Sequence, residues 1–417
     1  MHDTIQPSHE IHTHGSWRVT LAVMFIAQFF AGVGFSFVLP FFPFYFRELG
    51  VDSEKDVLLW MGWSSVAFGI TMTFSAQLWG LLADRYGRKL MVLRSMFAGS
   101  IILGLMGLAT NPWHLLILRI FQGASTGTVS ASITLVSSIT PSANLGISLG
   151  LIQTAILLGQ ATGQLGGGLL AEHYGFRIPC GLAALFLFIG TILVIFGASE
   201  KFIPPRDSQE GGIKTLKNIV QTRGFKVILS VYFLIYVLST MIIPILPLYI
   251  EKLSGKNSGA VSLTGLVLSV TVFLTGLSAT VYGRLGDRFG QSRILVFSLV
   301  MTGILSIPQS FASSVWILFA ERCLFGIAVG GLIPSINALV SNIISKEKIG
   351  SAYGLTSSVT CLGIGMGPLI GGTMASMIGL RLPFAVMGMF AFIVAILVHK
   401  MINNSENEIS NDYRSSI

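Results

Sequence analysis

Three ionisable side chains fall inside segments that are otherwise apolar: Arg119 in "WHLLILRIFQG", and Glu321 beside Arg322 in "WILFAERCLFG". A charge within hydrocarbon costs at least about 2.5 kcal/mol on insertion scales, so a residue of this kind usually has a function there. Glu321 is the only acidic residue well inside any apolar segment. Apolar surroundings favour the neutral carboxylic acid, and a carboxyl held near ionisation can take up and release a proton. The same group could instead form a structural ion pair with Arg119 or Arg322, and both readings stay open. Adjacent helical residues point about 100° apart, so Glu321 and Arg322 are poor direct partners. Each arginine lies six residues beyond a tryptophan, Trp113 or Trp316. That is about 9 Å of helical rise, within reach of snorkelling to the interface.

A second set of charges comes as a phrase written twice, "GLLADRYGRK" from Gly80 to Lys89 and "GRLGDRFGQSR" from Gly283 to Arg293. No catalytic or ligand set accompanies these charges, so no enzyme, cofactor or metal is expected. "GASTG", from Gly123 to Gly127, fits G-x-S-x-G, but it reads as part of a continuous apolar helix and not as a strand-turn-helix. Cys180, Cys323 and Cys361 have no pairing pattern, and "HEIHTH" (His9, His12, His14) reads as an unstructured tail. No G-x-x-x-x-G-K-[ST] occurs, which argues against ATP as the energy source.

The elements that must position these residues are membrane spans. Hydrophobic residues make up 52% of the 417 and charged ones only 11%, with a mean hydropathy of +0.76. Crossing about 30 Å of hydrocarbon takes about 20 apolar residues. Twelve such stretches are predicted, at 18-46, 58-82, 90-110, 113-136, 145-170, 176-197, 226-250, 260-281, 293-312, 315-339, 350-377 and 382-402. They are numbered span 1 to span 12. Six-helix bundles are expected at 18-199 and 226-402, with tails at 1-17 and 403-417 and a linker at 200-225. In the linker Ile213, Leu216, Ile219 and Val220 could line one face of a short surface helix.

The net charge of +8 does not indicate nucleic acid, because the basic residues sort by membrane side. With the N-terminus cytoplasmic, 18 of the 26 Lys and Arg fall in cytoplasmic segments, Arg94 among them, six in external loops, and two inside spans. That bias predicts a multi-pass protein of the cell membrane with both termini cytoplasmic.

The second half repeats the first. Pro40, Pro43 and Tyr45 answer Pro244, Pro247 and Tyr249 at an offset of 204. Asp84, Arg85 and Gly87 answer Asp287, Arg288 and Gly290 at 203, as Arg119 answers Arg322. Gly150, Gly159 and Gly163 answer Gly354, Gly363 and Gly367 at 204. The repeat unit is six helices, and its even number puts both copies the same way up about an axis along the membrane normal. Glu321 has no acidic counterpart, its mate being Leu118.

On these residues the chain resembles the major facilitator superfamily over nearly its whole length, and is most similar to its twelve-span drug:proton antiporter branch. Gly80, Asp84, Arg85, Gly87, Arg88 and Lys89 resemble its motif A, and Arg119, Gln122 and Gly123 its motif B. Gly354, Gly363, Gly367, Pro368, Gly371 and Gly372 resemble its antiporter motif C in full; in span 5 Gln164 stands where the family has proline. The resemblance implies an all-α membrane fold of two six-helix bundles and export by alternating access. It also implies that Asp84 meets the start of span 11, near Ser351, when the outer side is open. By internal symmetry Asp287 would meet span 5 near Gly146. Gly80, Asp84, Arg85, Gly87, Arg88, Asp287, Arg288 and Gly290 are therefore expected to form latches between the halves. Glu321, Arg119 and Arg322 are expected in proton coupling, and the glycines with Pro368 in helix packing. Gln28, Phe29, Phe35, Gln122, Gln153, Gln160, Tyr232 and Tyr236 are expected to line an apolar cavity for a lipophilic, cationic small molecule. The expected partners are this small molecule, protons and lipid, with the protein a monomer. The alternatives are transport of a specific metabolite, such as a sugar or lipid, and a transporter-like membrane sensor.

Overall fold

The computed structural model describes residues 16-200, 202, 225-255, 259-343 and 349-415. The predicted linker helix and the histidine tail lie outside these. Among the described residues the structure is helical, and ten stretches are long and apolar enough to cross a membrane. The other two crossings, spans 4 and 7, are each divided into shorter helices, Pro112–Ser125 with Thr128–Ile139 and Phe225–Thr240 with Leu246–Ser254. The result is a multi-pass membrane protein of twelve spans in two six-helix bundles related by a pseudo-two-fold axis along the membrane normal.

Four spans are broken, at repeated positions. Span 1 passes from Ser16–Ser36 through the 3-10 turn Leu39–Phe41 to Phe42–Glu48, and span 7 breaks after Thr240. Pro40 and Pro43 serve the first break, and Pro244 and Pro247 the second, because a proline ring supplies no N-H and clashes with the preceding turn. Span 4 breaks at Thr126-Gly127, where Gly127 has φ of 133°. Span 10 breaks between Val315–Val329 and Leu332–Ile343, at Gly330-Gly331. The expectation of a continuous helix through "GASTG" is therefore corrected: Ser125 closes one helix and its hydroxyl donates to the Gln122 carbonyl at 3.2 Å. The remaining spans are Glu54–Tyr86, Arg88–Met106, Leu145–Tyr174, Arg177–Gly197, Ala260–Phe289, Gln291–Gln309, Ile349–Ile378 and Leu382–Ser415. The last runs on past its predicted end at 402, since the polar stretch that follows holds neither glycine nor proline to stop it.

The repeat is legible in single bonds. The Tyr45 hydroxyl donates to the Met106 carbonyl at 2.7 Å, and its mate Tyr249 donates to the Gln309 carbonyl at 3.0 Å. Each ties the tip of the first span in its half to the end of the third. The glycines of spans 5 and 11 do the same for helix packing. A methyl group at Gly163 would meet the Val33 carbonyl at 2.6 Å, and one at Gly367 the Val237 carbonyl at 2.8 Å. These rows therefore pack span 5 on span 1 and span 11 on span 7, within each half. Gln164, in place of proline, leaves span 5 unbroken; span 11 also runs straight through Pro368.

Candidate functional site

Span 2 packs against span 11, and span 5 against span 8, across the boundary between the halves. Gly69 and Gly365 meet there backbone to backbone. Away from the repeated phrases the two halves are closed. A methyl group at Gly372 would meet the Leu58 carbonyl at 2.6 Å, and one at Gly168 the Val261 carbonyl at 2.8 Å. Arg47 and Glu251 form an ion pair at 2.5 Å. The Glu172 carboxylate accepts the backbone N-H groups of Val261 and Ser262 at 2.9 and 3.1 Å, capping span 8 from the other half. Towards the phrases the helices diverge. Gln77 still donates to the Ser358 hydroxyl at 2.9 Å, but a methyl group at Gly80, Gly146, Gly150, Gly283 or Gly354 would meet no atom within 4 Å. Among the described residues the molecule is thus shut at one end and open at the end carrying both phrases.

Arg47 and Glu251 are repeat mates, 204 residues apart. Equivalent residues of a two-fold arrangement can touch only beside its axis, so this pair marks where the pseudo-axis leaves the closed end.

The two phrases turn alike and are held differently. Gly87 and Gly290 end spans 2 and 8 at φ of 94° and 96°. In the first copy Glu200, just beyond span 6, accepts the N-H groups of Arg88 and Lys89 at 3.0 and 2.7 Å. The Lys89 ammonium donates to the Ile195 and Ala198 carbonyls at 2.9 and 2.7 Å, closing the clamp from the other side. In the second copy Asp287 accepts from Gln291 at 3.0 Å, within its own turn, and a methyl group at Gly146 would meet no other described element within 4 Å. Arg85 and Arg288 each lie over the next aromatic ring, Tyr86 and Phe289, at 5.5 and 5.3 Å. The expected contact of Asp84 with the start of span 11 falls on side chains outside those described.

Arg94, assigned from sequence to a cytoplasmic segment, sits inside span 3 with its guanidinium 3.4 Å over the Trp79 ring. It donates to the Thr126 carbonyl at 3.1 Å, and Trp79 donates to that of Ala124 at 2.7 Å, so the pair holds the break in span 4. Its repeat mate is Phe297, which lies 6.4 Å from Tyr282, the mate of Trp79.

Both intramembrane arginines are buried. Arg119 donates to Gln122 at 2.7 Å and lies 4.1 Å over the Phe68 ring. Arg322 lies over Phe325 at 5.0 Å and Phe384 at 5.9 Å. The Nε of each has no hydrogen-bond partner. Glu321 forms no ion pair with either among the described residues; its Oε2 is buried and unpartnered. It lies within electrostatic reach of Tyr249, in the second bundle towards the closed end.

The expected cavity residues separate into two groups. Gln28 is fully buried and donates to Ser132 at 2.7 Å, tying span 1 to span 4. Its mate Tyr232 donates to Asn337, tying span 7 to span 10. With Gln122 on Arg119, these three are committed inside their own bundles. Phe35 packs on Gly99 of span 3. Phe29, Gln160 and Tyr236 are half-buried, and Gln153 is exposed. Sequence reasoning missed Glu172, Glu200 and Arg94. For the two glutamates the available signal was an acid at the end of a span whose neighbour begins with bare N-H groups.

Comparison with known proteins agrees with this architecture. A family model described as Major Facilitator Superfamily matches residues 24-231 and again 228-415. The chain is 34% identical over 377 residues to the multidrug resistance protein MdtG of Proteus mirabilis, covering 89% of this chain and 92% of that one. It is 35% identical over the same length to MdtG of Salmonella paratyphi B. Among solved structures it is similar to the nucleoside transporter NupG, with a TM-score of 0.77 and 14% identity over 92% of this chain and 99% of that one. It is also similar to a bacterial homologue of the human lysosomal transporter Spinster in an inward-facing state, with a TM-score of 0.74 and 14% identity over 92% and 96%.

Proposed function

The chain belongs to the major facilitator superfamily of transporters, and from that membership we propose that it is a proton-coupled exporter of lipophilic, cationic drugs or toxic compounds. The observation that carries the reading is the asymmetry of the boundary between the halves. One end is joined by Arg47–Glu251 and Glu172 and the other diverges beyond Gln77–Ser358, which is one state of an alternating-access cycle. The phrase-bearing end faces the cytoplasm of a cell-membrane protein with cytoplasmic termini, so this state accepts substrate from inside. Rocking to the other state parts the outer contacts and brings Asp84 and Asp287 towards the starts of spans 11 and 5. Gly80 and Gly290 leave room for that approach, Gly87 turns the chain into the Glu200 clamp, and Arg85, Arg88 and Arg288 flank it. Phe29, Gln153, Gln160 and Tyr236 face the substrate path. The protein works as a monomer.

Glu321 carries the proton. A carboxyl oxygen that is buried without a partner is costly when ionised and is readily protonated and released as the bundles move. Arg119 and Arg322 take part in the same coupling. Exchange of a monocation for one proton moves no net charge and draws on the pH difference, about 1.4 kcal/mol or tenfold per unit. A neutral substrate would also draw about 2.3 kcal/mol from about 100 mV. The reading is tested in everted vesicles with a lipophilic dye cation. Uptake is expected to collapse on adding an uncoupler, and Glu321→Gln should remove the dependence on the proton gradient. Unchanged uptake and unchanged dependence in that variant would overturn it.

A further inference from the structure

A cavity of about 610 Å³ opens on the flank of the first half, between spans 2 and 4, on the face of span 2 next to its contact with span 11. Asp56, Trp60, Trp63 and Ile70 line it from one face of span 2, and Trp113 lines it from the start of span 4. On a membrane protein an open apolar flank is ordinarily covered by lipid tails. Two features set this one apart.

The first is aromatic. Trp60 and Trp113 meet edge to face at 4.8 Å, and Trp63 follows one turn along. Trp63 and Trp113 are 57% and 59% exposed, so their faces are available to a ligand. The second is electrostatic. The exposed Asp56 carboxylate has no ion-pair or hydrogen-bond partner among the described residues, and no Lys or Arg lines the cavity. Glu54 and Asp56, with Lys55 between them, leave one net negative charge at the positive end of span 2. Tryptophan faces beside a carboxylate are the surroundings that recognise a quaternary ammonium, whose diffuse charge is drawn to aromatic faces. The repeat does not account for the cluster: at either offset the mates of Asp56, Trp60 and Trp63 are Gly259 or Ala260, Leu263 or Thr264, and Leu266 or Val267.

We propose that this flank is a binding site for single-chain amphiphiles with a quaternary ammonium head. The head sits at Asp56 among the three tryptophans, and the tail runs along span 2 to Ile70, about 21 Å of helical rise. A phospholipid is the poorer occupant, because nothing lining the cavity would neutralise its phosphate.

The test uses the full-length protein in vesicles of phosphatidylethanolamine and phosphatidylglycerol, with no gradient, so it stands apart from the exporter reading. Hexadecyltrimethylammonium carrying a diazirine on its chain is photolysed, and labelling of residues 54-70 and 112-117 is read by mass spectrometry. Labelling is normalised to the equivalent second-half flank, 259-273. The cation is expected to label the first-half flank preferentially, and unlabelled cation to compete. Asp56→Asn, and separately Trp63→Leu, should lower that preference about fivefold. Hexadecyl sulfate bearing the same diazirine should show no preference. Equal preference for both probes would mean tail contact only and would overturn the proposal. So would labelling unchanged in both variants, or competition by phosphatidylcholine as strong as by the free cation.

Discussion

The two halves place the same ties at the same positions and make them from different chemistry. The first half uses charge: Arg94 on Trp79, Arg119 on Gln122, and Glu200 with Lys89 on the turn between spans 2 and 3. At the equivalent places the second half has Phe297 near Tyr282, Arg322 on Phe325, and Gln291 bonded within its own turn. Only the second half adds an intramembrane carboxylate, Glu321, whose Oε2 has no hydrogen-bond partner among the described residues. Repeat symmetry fixes where the bundles must be tied, and leaves each tie free to become rigid or responsive. The first half reads as the braced partner; on the function proposed above, the second holds the proton carrier.

The contrast breaks most readily at Glu200. Glu200→Gln removes a charged acceptor from two backbone N-H groups and is expected to cost about 1.5 to 3 kcal/mol of the first bundle's stability, whereas Gln291→Ala should cost a few tenths. Thermal unfolding of the detergent-solubilised protein compares the two, and equal losses would contradict the braced-half reading. Next in size are the paired ties Gln28→Leu and Tyr232→Phe, each expected to cost about 0.5 to 1.5 kcal/mol of stability. Equilibrium binding of a dye cation should be unchanged in both, and a selective loss of affinity would return them to the substrate path.

Smaller effects belong to the closed end. Glu172→Gln should weaken the cap on span 8 and raise the reactivity of a cysteine placed at Ser262 several-fold towards an impermeant maleimide added from outside. Arg47→Glu should do so less, about twofold to fivefold, in keeping with a partly exposed ion pair. The exchange Arg47→Glu with Glu251→Arg should restore protection; if it does not, the pair is not what holds that end.

Much of this molecule is readable from one sequence because a membrane imposes long apolar periods and a repeat supplies an internal comparison. Twelve spans, the offset of 203 to 204 and the repeated prolines of spans 1 and 7 are legible in the sequence, but the breaks those prolines make are not anticipated there. Nor are the breaks at Thr126-Gly127 and Gly330-Gly331, since apolar residues on both sides continue the hydropathy through them. Gln28 and Tyr232 looked like polar handles in a cavity because their partners lie 104 and 105 residues away, a distance no local pattern bridges. Their repeat relation was the available clue, since mates that keep a polar group tend to serve architecture. Arg94 was assigned to a loop because positive charge near a span end ordinarily fixes topology; only the ring of Trp79 beneath it reveals a seat inside the bundle.

The ion pair beside the pseudo-axis also carries a history. In an ancestral pair of identical six-helix chains, the position of Arg47 would have faced a copy of itself, as would that of Glu251. Like charges there would have repelled, so this clasp of opposite charges can have arisen only after gene duplication and fusion let the two copies mutate separately. A chain cut back to one repeat and asked to dimerise would lack it.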